Sequence, residues 1–158
     1  MDGAAVAFAA RIVLAAVLGI AAVQKLLAMK ATRVQTVALM GERVGPAVAA
    51  ALPFAELATA CALVVWWSVA SGLATFALFV AFTAVLLRAQ VRRLPCPCFG
   101  AAVGTAPPVG ATGILRNGFL GALAIVATGS PEGATAWAVI VWTLVFGAVA
   151  AVAVRAAA

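Results

Sequence analysis

Two thiols one residue apart, Cys96-Pro97-Cys98, are the feature of this chain most suited to chemistry. Cysteines at i and i+2 can close a disulfide, but the ring is small and strained, and Pro97 stiffens it further. A strained, accessible disulfide is more oxidising and more labile than a structural one. Arg92 and Arg93 precede the pair and Arg116 follows it. Positive charge of this kind lowers a thiol pKa and favours the thiolate, the nucleophile of exchange. The pattern predicts thiol–disulfide exchange through Cys96 and Cys98. A zinc site needs about four ligands, and the chain has three Cys and no His. Acylation of the pair, or a pair of inert loop cysteines, are the plainer alternatives. The third thiol, Cys61, lies among Ala and Leu and is expected to be a small packing residue.

Other chemistries are thin on the ground. Without His or Tyr there is no imidazole relay, imidazole metal site or tyrosine nucleophile. The acids are Asp2, Glu42, Glu56 and Glu132, too scattered to suggest a carboxylate metal site. No segment matches a phosphate-binding or dinucleotide fingerprint. What remains are polar residues set into apolar sequence: Lys25, Glu56, Arg116 and Asn117. Lys25 ends one apolar segment and Glu56 lies early in the next, so both flank one connection at similar depth. Charges inside an apolar bundle are costly and find each other, which predicts a Lys25–Glu56 ion pair. Unaided snorkelling of Lys25 to the interface is the alternative. Arg116 and Asn117 bring strong donors into the first turns of a later segment, whereas Arg88, Arg92 and Arg93 read as flanking charges.

The elements that must position these residues are membrane helices. Of 158 residues, 67% are hydrophobic and 9% charged, and the mean hydropathy is +1.23. Soluble domains are about 45–50% apolar and about 25% charged, and a globule this small could not bury such a surplus. Apolar segments fall at residues 4–28, 46–67, 73–87, 112–128 and 134–154, which predicts an all-α, polytopic bundle of about five transmembrane helices in one domain, 1–158. The N-terminus lacks the basic stretch of a signal peptide, so the first segment reads as a retained span. Residues 29–45 read as a polar connection, residues 68–72 as a break, 90–111 as the main loop and 129–133 as a turn. Trp66-Trp67 fits an interfacial aromatic belt, with a buried aromatic pair as the alternative. The net charge of +6 reads as loop charge facing anionic lipid rather than nucleic acid. With five spans, Lys30, Arg33, Arg43, Arg88, Arg92, Arg93 and Arg155 share one side, and the positive-inside rule puts that side, with the Cys loop, in the cytoplasm.

Cys96-Pro97-Cys98-Phe99-Gly100, followed by Leu115-Arg116-Asn117, resembles the MauE family of methylamine utilisation proteins, related to the broader DoxX-like membrane family. Gln24-Lys25-Leu26 and Pro53-Phe54-Ala55-Glu56-Leu57 look like that family's early Lys and Pro-x-x-Glu features. The resemblance implies a DoxX-like four-helix core plus a C-terminal helix, multi-pass in a bacterial inner membrane. It implies a redox role in maturing a disulfide-rich partner, methylamine dehydrogenase, together with a thioredoxin-like envelope protein. Cys96 and Cys98 would be the redox pair, with Pro97, Phe99 and Gly100 as its structural setting. Arg116, Asn117, Lys25 and Glu56 would be supporting polar contacts. Pro97 stands where Gly is common in relatives, which alters loop stiffness. The resemblance puts the Cys loop on the envelope side, against the charge count. By analogy with other disulfide-generating membrane proteins, a membrane quinone is the possible electron acceptor. A non-enzymatic scaffold or assembly subunit is the alternative function, and a transporter using Lys25, Glu56 and Arg116 a third, without visible repeat symmetry.

Overall fold

Alanine and leucine, strong helix formers, dominate the first apolar segment, which forms α1, Gly3–Leu27, 25 residues long. The computed structural model describes residues 3–92 and 111–129 and the single positions 140, 143 and 144. All regular structure among the described residues is helical, as hydrocarbon demands of a chain that must satisfy its backbone internally. After α1 come α2 (Met29–Met40), α3 (Gly45–Val65), α4 (Val69–Val91) and α5 (Ala111–Val126). A crossing takes about 20 residues. α1, α3 and α4 are long and apolar enough for it, while α5 is a shorter apolar helix of 16 residues. Of the expected fifth segment, 134–154, only Ile140, Thr143 and Leu144 are among the described residues.

Two expectations about the helices change. Residues 29–45, read as a polar connection, contain α2, a helix of 12 residues. Its buried residues are Thr32, Gln35, Thr36 and Leu39, an i, i+3, i+4, i+7 stripe whose polar members hide it from a hydropathy average. The break expected at 68–72 is narrower, since α3 ends at Val65 and α4 starts at Val69. Ser68 is the N-cap, its hydroxyl accepting from the Ser71 amide at 3.4 Å, so residues 69–72 form a first turn rather than a gap.

α1 packs chiefly on α3, and α4 on α5, with α2 laid along α3 and α5 returning to α1. The buried face of α1 includes Ala5, Ala7, Ala9, Ala10, Ala21 and Ala22, and small residues let helices approach closely where lipid removes any hydrophobic drive. Larger side chains, among them Leu14, Leu18, Leu63, Phe79, Leu120 and Leu123, fill the core. α2 and α3 meet at Gly45, where a Cβ would stand 2.6 Å from the Val37 Cα, so only glycine fits. Apolar residues such as Phe54, Val65, Leu73 and Leu115 face outward, as lipid-facing residues do. Cys61 shares that outer surface: it is exposed, which corrects its reading as a packing residue. Trp66 and Trp67 are 73% and 55% exposed, in keeping with an interfacial belt and not a buried pair.

Candidate functional site

Lys25 and Glu56 meet as their positions predict. The Lys25 Nζ donates to the Glu56 Oε1 at 2.7 Å, with the side chains 2% and 0% exposed. Burial this complete excludes snorkelling. Lys25 stands at the end of its helix and Glu56 inside a continuous one. Lys25 lies two residues before the end of α1, where Ala28 leaves helical geometry (φ −111°, ψ 37°). Glu56 follows Pro53, a proline inside α3 that removes one backbone donor. The ammonium also lies 5.9 Å from the centre of the Phe82 ring of α4, within cation–π range. A cavity of about 160 Å³ adjoins it, lined by Lys25, Thr32, Thr36, Leu52 and Phe82 among others.

Asn117 works from the opposite flank of α4. It is 1% exposed, and its Nδ2 donates to the Phe79 carbonyl at 2.9 Å and the Thr83 Oγ1 at 2.7 Å. The Thr83 hydroxyl in turn donates to the Phe79 carbonyl at 2.8 Å. Lys25 and Asn117 thus reach the same turn of α4, separated by the edge-to-face rings of Phe79 and Phe82, 6.1 Å apart. The cavity beside Lys25 and the groove beside Asn117 are lined by different residues of α4. Lys25 and Asn117 therefore stand against different residues of one turn of α4. Arg116, next to Asn117, is half-buried.

A third polar centre forms around Arg11, which is not among the residues singled out from the sequence. Arg11 is 1% exposed. Its guanidinium donates to the Ser71 Oγ and the Ser68 carbonyl, each at 3.1 Å, and to the Trp66 carbonyl at 3.4 Å. It holds the connection between α3 and α4 at the far end of the bundle, about 21 Å along α1 from Lys25 at 1.5 Å per residue. The discoverable signal was a charge well inside an apolar run, paired with the Ser-x-x-Ser after Trp67.

The sequence Cys96-Pro97-Cys98-Phe99-Gly100 lies outside the described residues. Its segment joins the C-terminal end of α4 to the N-terminal end of α5, the end of the bundle away from Arg11. Arg88 and Arg92, at that end of α4, are exposed. A family model described as methylamine utilisation protein MauE matches residues 3–130. No curated protein and no solved structure matches the chain.

Proposed function

The chain belongs to the MauE family of methylamine utilisation proteins, and from that premise we propose that this multi-pass membrane protein is a thiol–disulfide oxidoreductase or redox accessory. It supports disulfide formation in a partner such as methylamine dehydrogenase. The observation that carries this reading is the Cys96/Cys98 dithiol, inside the family-matched region, on an Arg-flanked connection between two membrane helices. A partner thiolate attacks one sulfur of the Cys96–Cys98 disulfide, forming a mixed disulfide and releasing the other sulfur as thiolate. A second partner thiolate resolves the mixed disulfide, leaving an oxidised partner and a reduced Cys96/Cys98 pair. Two electrons have then entered the pair, and a thioredoxin-like protein or a membrane-resident acceptor removes them.

The test is partner oxidation in cells carrying Cys96→Ser/Cys98→Ser. The protein should remain in the membrane while disulfides in the partner fall to the level of cells lacking it. Full partner maturation with both thiols gone would leave a scaffold role and end the redox reading. Delivery to an envelope partner also fixes the side of the loop. In a Cys61→Ser background, a membrane-impermeant maleimide should modify Cys96 or Cys98 in intact cells. Protection until the cells are opened would place the pair in the cytoplasm, as the basic flanks expect, and sink direct oxidation of an envelope partner.

A further inference from the structure

The cavity of about 160 Å³ beside the ion pair lies between α2, the start of α3 and α4. Its walls are apolar, with Leu39, Val48, Leu52, Leu78, Phe82 and Val85 among them. The polar groups of its lining are committed elsewhere: the Lys25 ammonium to Glu56, and the Thr32 and Thr36 hydroxyls to the Ala28 and Thr32 carbonyls. Apolar cavities of this size stay dry, and one of about 150 Å³ holds benzene, a molecule of about six carbons. A void leaves its lining without dispersion partners, so an apolar filling is favoured. The cavity opens sideways, since Met40 and Ala81 both line it and are both exposed. A helix, about 10 Å across, is too wide to enter. A lipid chain can seat about six of its carbons there and leave by the opening.

The kind of lipid follows from the charges at the mouth. The face of α4 that lines the cavity with Ala81 and Val85 continues through Arg88 and Arg92, at i+7 and i+11 from Ala81, and both arginines are exposed. Helical side chains lean toward the N-terminal end of their helix, so these two lean back toward the cavity. On α2, exposed Arg33 shares a face with Thr36 and Met40, at i+3 and i+7. Arg33 lies about 12 Å of helix beyond Lys25, and Arg88 about 9 Å beyond Phe82. Because Lys25 and Phe82 stand together, the two cations reach a similar height. Among the described residues none of the three arginines has an ion pair, and the one exposed acid is Glu42. Basic pockets between membrane helices bind anionic head groups. We propose that this cavity seats one acyl chain of an anionic phospholipid whose phosphate lies against Arg33, Arg88 and Arg92. Such a seat differs from the diffuse attraction of basic loops to an anionic surface, which needs no cavity and holds no particular lipid. It depends neither on the cysteine chemistry nor on which leaflet the mouth faces.

Native mass spectrometry of the full chain in detergent, titrated with dioleoylphosphatidylglycerol or dioleoylphosphatidylcholine, tests it. The two lipids share their chains and differ in net charge. At about fivefold per engaged cation, phosphatidylglycerol should bind about 5- to 25-fold tighter and saturate at one molecule per chain. Arg33→Gln/Arg88→Gln should cut that preference to about fivefold or less. Ala81→Leu fills the seat and leaves every charge in place, so the saturable binding should be lost. Val85→Phe fills it from the next turn and is the second variant should the first unfold. Glycerol phosphate, a head group without chains, should displace nothing. Equal binding of the two lipids, saturable binding retained in a filled variant, or displacement by glycerol phosphate would each overturn the seat.

Discussion

Lys25→Met should destabilise the folded bundle by about 3–5 kcal/mol, because it takes the paired cation from a fully buried carboxylate. Glu56 is 0% exposed, and the Lys25 Nζ at 2.7 Å is the group balancing its charge. The reverse variant, Glu56→Leu, takes the carboxylate away from a buried ammonium and should also be destabilising. The double variant Lys25→Met/Glu56→Leu behaves differently. Removing both charges removes both desolvation penalties, and Met and Leu fill apolar space next to Leu52 and Phe82. Swapping a whole buried pair for apolar residues is often neutral or stabilising, by about 1–4 kcal/mol. Unfolding in mixed detergent, run as a double-mutant cycle, should show strong coupling, with the double variant more stable than either single one. Single variants as stable as the parent, or a double variant no better than the singles, would show that the pair does not carry its own charge balance. The same set separates structure from function. A double variant that folds but fails to support partner oxidation gives the pair a role beyond holding α1 to α3.

The ion pair was legible in the sequence because two opposite charges, each set in apolar surroundings, flanked one connection. The end points of α1, α3, α4 and α5 were legible to within a few residues for a similar reason: hydropathy changes sharply at each. Depth around the circumference of the bundle was not. Asn117 and Lys25 both sit near one end of their helices, but the linear order says nothing about which side of α4 each one reaches. That is decided by how α1 and α5 pack, a matter of small residues spread along both helices. α2 was hidden because its buried stripe is mostly polar, Thr32, Gln35 and Thr36, and the two threonine hydroxyls bond back along the chain. Thr32 donates to the Ala28 carbonyl at 3.2 Å and Thr36 to the Thr32 carbonyl at 2.7 Å. A polar side chain that satisfies itself on its own helix can be buried at little cost, yet it counts as polar in any hydropathy window. Arg11 was missed through the converse error. A cation without an acid nearby in sequence reads as an interfacial charge, but backbone carbonyls are equally good acceptors.

Arg11→Met should cost about 2–4 kcal/mol, through loss of charge-assisted bonds worth roughly 1.5–3 kcal/mol each, offset where the freed carbonyls regain water. The offset is unequal among the three acceptors. Trp66 is exposed, so its carbonyl lies within reach of the interface and is readily rehydrated. The Ser68 carbonyl keeps the Ser71 hydroxyl, which donates to it at 2.8 Å. Ser71 itself is buried and loses the guanidinium outright. The cation also complements the carbonyl end of α3, where the helix dipole is negative, which explains how a buried charge persists there on neutral oxygens. Arg11→Lys keeps the charge but replaces a fork with a point donor that cannot span carbonyls and hydroxyl together. Its loss should fall between those of the parent and Arg11→Met. Because the contacts gather on residues 66–71, the damage should be local first, with faster amide exchange at the start of α4 and at the connection before any change near Glu56. At about 21 Å from Lys25, the Arg11 and Lys25 substitutions should add in stability to within about 0.5 kcal/mol. Unchanged exchange at the connection in Arg11→Met would show that the α3–α4 turn stands without its guanidinium. Marked non-additivity would mean that the two ends of α1 communicate through the helix.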